Sequence, residues 1–150
     1  MEALSQRDLL DVNSLPGAGA VTGSRKARWT GRLMSGLAIL FLAFDSLGKV
    51  LQLAPFVQGT TELGFSAGAV FWLGLIQLAC VVLYVLPRTG GLGAILLTGW
   101  FGGAIATHVR MGSPLFSHTL FPLYVAVLVW GGLYLRSHQV RALLSPRVRE

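Results

Sequence analysis

Asp45 and Lys49 are the residues best placed to do chemistry, because they stand four apart inside a run that otherwise reads as a membrane-spanning helix. That run, residues 33–53 (LMSGLAILFLAFDSLGKVLQL), meets the length of about 20 apolar residues needed to cross a bilayer. A carboxylate and an ammonium at such depth cost roughly 2.5–3.5 kcal/mol each on insertion scales. One helical turn apart, carboxylate first, they neutralise each other. Ionisable groups so placed face a bundle interior or a wet cavity, and they mark a candidate site. The plainer alternative is a self-compensating pair that only fixes the orientation of its helix.

Other polar residues fall at comparable depth. Gln52 continues the Asp45 face seven residues on, and Gln77 lies near the middle of a second apolar run. His108 closes a third run, Arg110 follows it, and His118 opens a fourth. At a rise of about 1.5 Å per residue, Asp45 is about 20 Å and His108 about 25 Å along helices that run the same way. Topology thus gathers residues distant in sequence into one layer. Arg110 could snorkel to headgroups, but as a cation on the wrong side for the charge bias it is expected to pair with Asp45 or Glu62. Pro122 is expected to free the carbonyl of His118, with Lys49 or Arg110 as its donor. His108, at a helix end, has an ordinary reading as an interfacial residue. The spacing of His108 and His118 gives haem ligation little support, and no metal site is expected.

Four runs are long enough to span: residues 33–53, 67–86, 91–109 and 115–135. With 53% hydrophobic and 12% charged residues in 150, they account for most of the chain. The expected fold is all-α, a four-helix transmembrane bundle running up-down-up-down. The net charge of +6 does not point to nucleic acid, because of where it sits. Arg25, Lys26, Arg28 and Arg32 precede the first run, Arg88 sits between the second and third, and Arg136, Arg141, Arg147 and Arg149 follow the fourth. The first connection has Glu62 and no cation. This is the positive-inside pattern with both termini cytoplasmic, and the basic ends meet anionic headgroups of the lipid bilayer.

Residues 1–28 read as a flexible polar cytoplasmic tail, in which SQRDLLDV suits a short helical turn and LPGAGAVTGS a linker. The tail has no apolar core of a cleaved signal peptide, so the first span is expected to be a retained anchor. Residues 29–146 form the bundle and 147–150 a basic cytoplasmic end. Pro55 is expected to stop the first span, leaving residues 55–66 as the longest external connection. PRTGG and MGSP make tight turns between the later spans.

Small residues recur along the third span: Ala94, Thr98, Gly102 and Ala106 in one row, Gly99, Gly103 and Thr107 in the next. Such rows let helices approach closely in lipid, so this span is expected to be the central packing helix. No strand precedes these glycines, which excludes a dinucleotide or phosphate loop. Trp29, Tyr84, Trp130 and Tyr134 suit a cytoplasmic aromatic belt, Trp72 the outer one, and Trp100 the bundle interior. Cys80 stands alone in an apolar run, which excludes an intramolecular disulfide and suits an inert thiol.

The stretch LYVLPRTGGLGAILLTGWFGGAIATHVR, followed by SPLFSHTLFPLYVAVLVWGGLYLR, resembles the DoxX-like membrane proteins over roughly residues 29–146. The aspartate-bearing first span and the WGGLYLR ending fit the same pattern. The resemblance implies a four-helix, multi-pass protein of the bacterial inner membrane. The wider family takes its name from a membrane subunit associated with thiosulfate–quinone oxidoreductase, which implies redox company. It carries no established catalytic set onto these residues. The leading expectation is an accessory or quinone-associated subunit working with membrane-associated oxidoreductase subunits. Lys49 or Arg110 would bind a quinone carbonyl or small anion, while Asp45 and His108 pass protons. Two other readings stay open: a small proton-coupled transporter, and a purely structural membrane partner.

Overall fold

The computed structural model describes residues 25–137 and Val140. The expected segments at residues 1–24 and 141–150 lie outside that range. All four spans form, as α1 (Arg25–Val50), α3 (Ala67–Val85), α4 (Gly90–Arg110) and α5 (Phe121–Arg136). A single π-helical turn, Leu115–Thr119, precedes α5 and completes a 22-residue span with it. A short helix, α2 (Ala54–Glu62), joins α1 to α3. No strand occurs among the described residues, and the architecture is the expected all-α bundle.

The first connection differs from expectation. α1 already begins at Arg25 and ends at Val50, and the segment read as an external loop is mostly the helix α2. Pro55 does not stop α1 but starts α2, where a missing N–H costs nothing because first-turn donors have no helical partner. Gln52 ends α1 instead. It takes φ = 53°, the left-handed conformation that glycine usually supplies. The Leu53 N–H reaches back to the Gly48 carbonyl at 3.0 Å and the Gln52 N–H to the Lys49 carbonyl at 3.1 Å. This is the pair of bonds that closes a Schellman motif. Pro122 likewise falls in the first turn of α5, so the chain breaks at Leu120, before the proline.

α1 is turned inside out relative to a soluble helix. Leu33, Leu37, Leu40, Phe44 and Leu47 form its exposed stripe, while Gly31, Ser35, Ala38 and Ser46 are buried. Apolar side chains gain nothing by hiding from lipid tails, so small residues that admit a neighbouring backbone occupy the interface. α1 packs on both α3 and α5, and α4 closes the ring between those two. At the α1–α5 contact, a Cβ on Gly132 would stand 2.7 Å from the Ser35 nitrogen. At α1–α3, a Cβ on Gly74 would stand 2.9 Å from the Ser46 carbonyl oxygen. α3 and α4 meet where Gly93 abuts the Tyr84 backbone.

The central packing helix is therefore α1, not α4. Nothing lies within 4 Å of a Cβ built at Gly99, Gly102 or Gly103, so these glycines make no helix–helix contact. Tyr84 also departs from expectation. It is 1% exposed, its hydroxyl 2.9 Å from Ser35 Oγ and donating to the Val129 carbonyl at 2.8 Å, with the Arg136 guanidinium 5.0 Å from its ring. It ties α3 to α1 and α5, whereas Trp29, Tyr134 and Trp72 are exposed as belt residues should be.

Candidate functional site

The bundle is solid where α1, α3 and α5 meet around Tyr84, and hollow at the end that carries α2. The hollow is a cavity of about 620 Å³ reached by all four spans and by α2. One wall is polar. Asp45 and Lys49, on adjacent turns of α1, pair at 2.6 Å. Lys49 Nζ also donates to Gln77 Oε1 of α3 at 3.2 Å and lies 5.8 Å from the centre of the Trp100 ring on α4. Gln77, 1% exposed, points its amide nitrogen at the Leu42 carbonyl 3.5 Å away. The Asp45–Lys49 pair is the one ion pair among the described residues.

The remaining walls are aromatic and glycine. Phe41 and Phe121 meet edge to face at 5.2 Å where α1 passes α5. Phe56 of α2 meets Phe44 edge to face at 5.4 Å and covers Gly48, which fastens α2 over the cavity. Gly59 of α2 and Gly99 and Gly103 of α4 also line it, with open space where their side chains would be. A bound molecule can therefore lie directly on helix backbone.

A second cavity of about 400 Å³ adjoins the first and shares Gly59, Leu63 and His108 with it. Glu62, Met111, Ser113 and His118 belong to this second cavity alone. The His108 and His118 ring centres are 5.9 Å apart. His108 Nδ1 is 3.1 Å from Ser113 Oγ, and His118 Nδ1 is 2.8 Å from Ser117 Oγ. No group of three or more His, Cys, Asp or Glu side chains able to hold a metal ion occurs among the described residues.

The structure thus brings Asp45, Lys49, Gln77 and His108 around one cavity and sets His118 beside His108 in the next. It leaves out Gln52 and Arg110. Gln52 lies beyond the end of α1, where its amide donates to the Lys49 carbonyl at 2.8 Å, so the i+7 relation to Asp45 is lost. Arg110 pairs with neither Asp45 nor Glu62, since its guanidinium donates to the Leu63 carbonyl at 3.1 Å and pins the end of α2 to α4. Neither cation donates to the His118 carbonyl: Lys49 donates to Asp45 and Gln77, and Arg110 to the Leu63 carbonyl.

The profile of the DoxX-like family matches residues 33–132, two thirds of the chain. The chain belongs to the DoxX-like family. The matched region of this DoxX-like protein holds every residue of both cavities, and it is a multi-pass membrane protein by family and by its four apolar spans. No curated protein and no solved structure matches the chain.

Several lining residues of the DoxX-like site carry no chemical signal of their own. Phe41 and Phe121 are ordinary members of apolar spans, Phe56 falls in the stretch read as an external connection, and Gly99 and Gly103 read as packing positions. Open space beside a glycine is a property of the assembled ring, and residue type does not encode it.

Proposed function

We propose that this DoxX-like protein is a small subunit of a bacterial inner-membrane redox system that binds a quinone-headed lipid in the first cavity. The observation that carries this reading is an aromatic-walled space of about 620 Å³ with a neutralised ion pair on one side. That volume lies within the range of about 300–1,000 Å³ typical of small-molecule sites, which pair apolar walls with a few placed polar groups. A quinone ring is flat, apolar on its faces and polar only at two carbonyls. Trp100 and Phe121 supply faces for it to lie on, and Gly99 and Gly103 let it approach α4 closely. Lys49 has three N–H donors, of which Asp45 and Gln77 take two, so the third is available to a carbonyl. An isoprenoid tail would run into lipid, and electrons would come from a partner oxidoreductase. The arginine and lysine bias supports a cytoplasmic position for both termini, which would put the cavity in the outer half of the bilayer.

The test is quinone retention by the full chain purified in mild detergent, read from solvent extracts. Wild type should carry or take up ubiquinone or menaquinone. Gly103→Leu should lose it while keeping its helical circular dichroism, because leucine there occupies the cavity without meeting a neighbour. Gly102→Leu, on the same helix but outside the cavity lining, should retain it. A wild type that takes up neither quinone, or binding that survives Gly103→Leu, overturns the reading.

A further inference from the structure

We propose that the second cavity is a proton portal, in which His118 and His108 carry protons between water at the α2 end and the Asp45–Lys49 pair. Three observations converge on this. First, His108 stands in the wall shared by the two cavities, so one imidazole touches both the chamber holding Asp45 and Lys49 and the chamber holding His118. Second, the two rings are neighbours, 5.9 Å apart between centres and tilted at 59°, within reach for a proton to pass directly or through one water. Third, each ring has its Nδ1 beside a serine hydroxyl, His108 on Ser113 and His118 on Ser117. Those hydroxyls hold the rings in place and leave both Nε2 atoms for the handover.

Imidazole suits the task because its ordinary titration lies near neutrality. Each ring takes one proton at Nε2, becomes an imidazolium, and is neutral again once that proton passes on. Its Nδ1–H donates to the Ser113 or Ser117 hydroxyl throughout, so the ring is ready for the next proton. The charged groups around the pair are few. α2 contributes Glu62 to the same cavity, α1 contributes Asp45 and Lys49 to the neighbouring one, and α4 contributes Arg110, held on the Leu63 carbonyl. α3 contributes the neutral Gln77. Glu62 at the water side would collect protons, which His118, exposed at the outer edge, would receive first.

The portal does not depend on which amphiphile occupies the first cavity, and its test adds no quinone, so the two proposals fail separately. The full chain is placed in nanodiscs of phosphatidylethanolamine and phosphatidylglycerol. In a Cys80→Ser background, Ala104→Cys puts a thiol on the first cavity, and Gly68→Cys, exposed in open space at the start of α3, serves as the control. A cationic, membrane-impermeant thiosulfonate should label both. Adding Gly59→Phe at the shared wall should abolish labelling at position 104 and spare position 68. Separately, 15N spectra of the histidine rings between about pH 5 and 8 should show a coupled, two-step titration of His108 that becomes a single step in His118→Gln. An unreactive position 104 beside a reactive 68, labelling indifferent to Gly59→Phe, or a His108 curve unchanged by His118→Gln would each overturn the proposal.

Discussion

Lys49 reaches in three directions: it donates along its own helix to Asp45 and across to Gln77 of α3, and its ammonium lies beside the Trp100 ring of α4. Removing it therefore strands a carboxylate in the bundle interior. Stranding one member of a sealed ion pair costs about 3–5 kcal/mol, and here the cavity softens the loss to about 2–3 kcal/mol. Lys49→Met should lower stability by that amount in detergent unfolding, and Asp45→Asn added to it should restore most of the loss. A double variant no more stable than Lys49→Met would show that the pair does not act as a unit. Gln52 offers a change of the opposite sign. Its left-handed backbone is one that glycine adopts freely, so Gln52→Gly should gain about 0.5–1 kcal/mol, read as a higher unfolding midpoint. At this scale the sequence was informative where a residue contradicts its surroundings. Asp45, Lys49, Gln77 and His108 stand out from apolar runs and do meet at one cavity. Arg110 and Gln52 misled because depth and spacing do not say where a helix stops or what an exposed guanidinium finds first, here a carbonyl.

Between elements, stability comes from close approach at a few small residues. Gly132 against Ser35 and Gly93 against Tyr84 leave no room for a side chain, so Gly132→Val should force α1 and α5 apart. Overpacking of this kind costs typically about 1–3 kcal/mol, and the unfolding midpoint should fall accordingly. Gly102→Ala should behave oppositely, because nothing adjoins that position and alanine is the better helix former by roughly 0.5–1 kcal/mol. Equal effects from the two substitutions would contradict the assignment of interfaces. The span count, the tight turns after α3 and α4 and the antiparallel order were all legible, since each follows from apolar length and turn residues. The roles of the glycine rows were not. A small-residue row describes a helix interface and a cavity floor equally well, and the choice depends on helix rotation. α2 was missed for a related reason: a proline near its start reads as a break until the chain is seen to turn extended at Leu53 and begin a new helix at Ala54.

As a whole the molecule is graded from one end to the other. Around Tyr84 the hydroxyl network and the glycine contacts close the space between helices, while towards α2 the ring encloses two cavities. Tyr84→Phe leaves Ser35 Oγ and the Val129 carbonyl short of a partner, and should cost about 1–3 kcal/mol in global unfolding. Hydrogen exchange should follow the same gradient, slowest in α1 near Ser35 and faster in α2, a nine-residue helix at the hollow end with only Thr60 buried. Uniform exchange along α1 and α2 would contradict it. The hollow end also gives the protein an uneven mechanical response. At the solid end the glycine contacts pass a push from helix to helix, whereas at the α2 end the walls can approach one another across the cavity. A molecule seated in the first cavity props those walls apart, and the bundle then resists squeezing more evenly along its length.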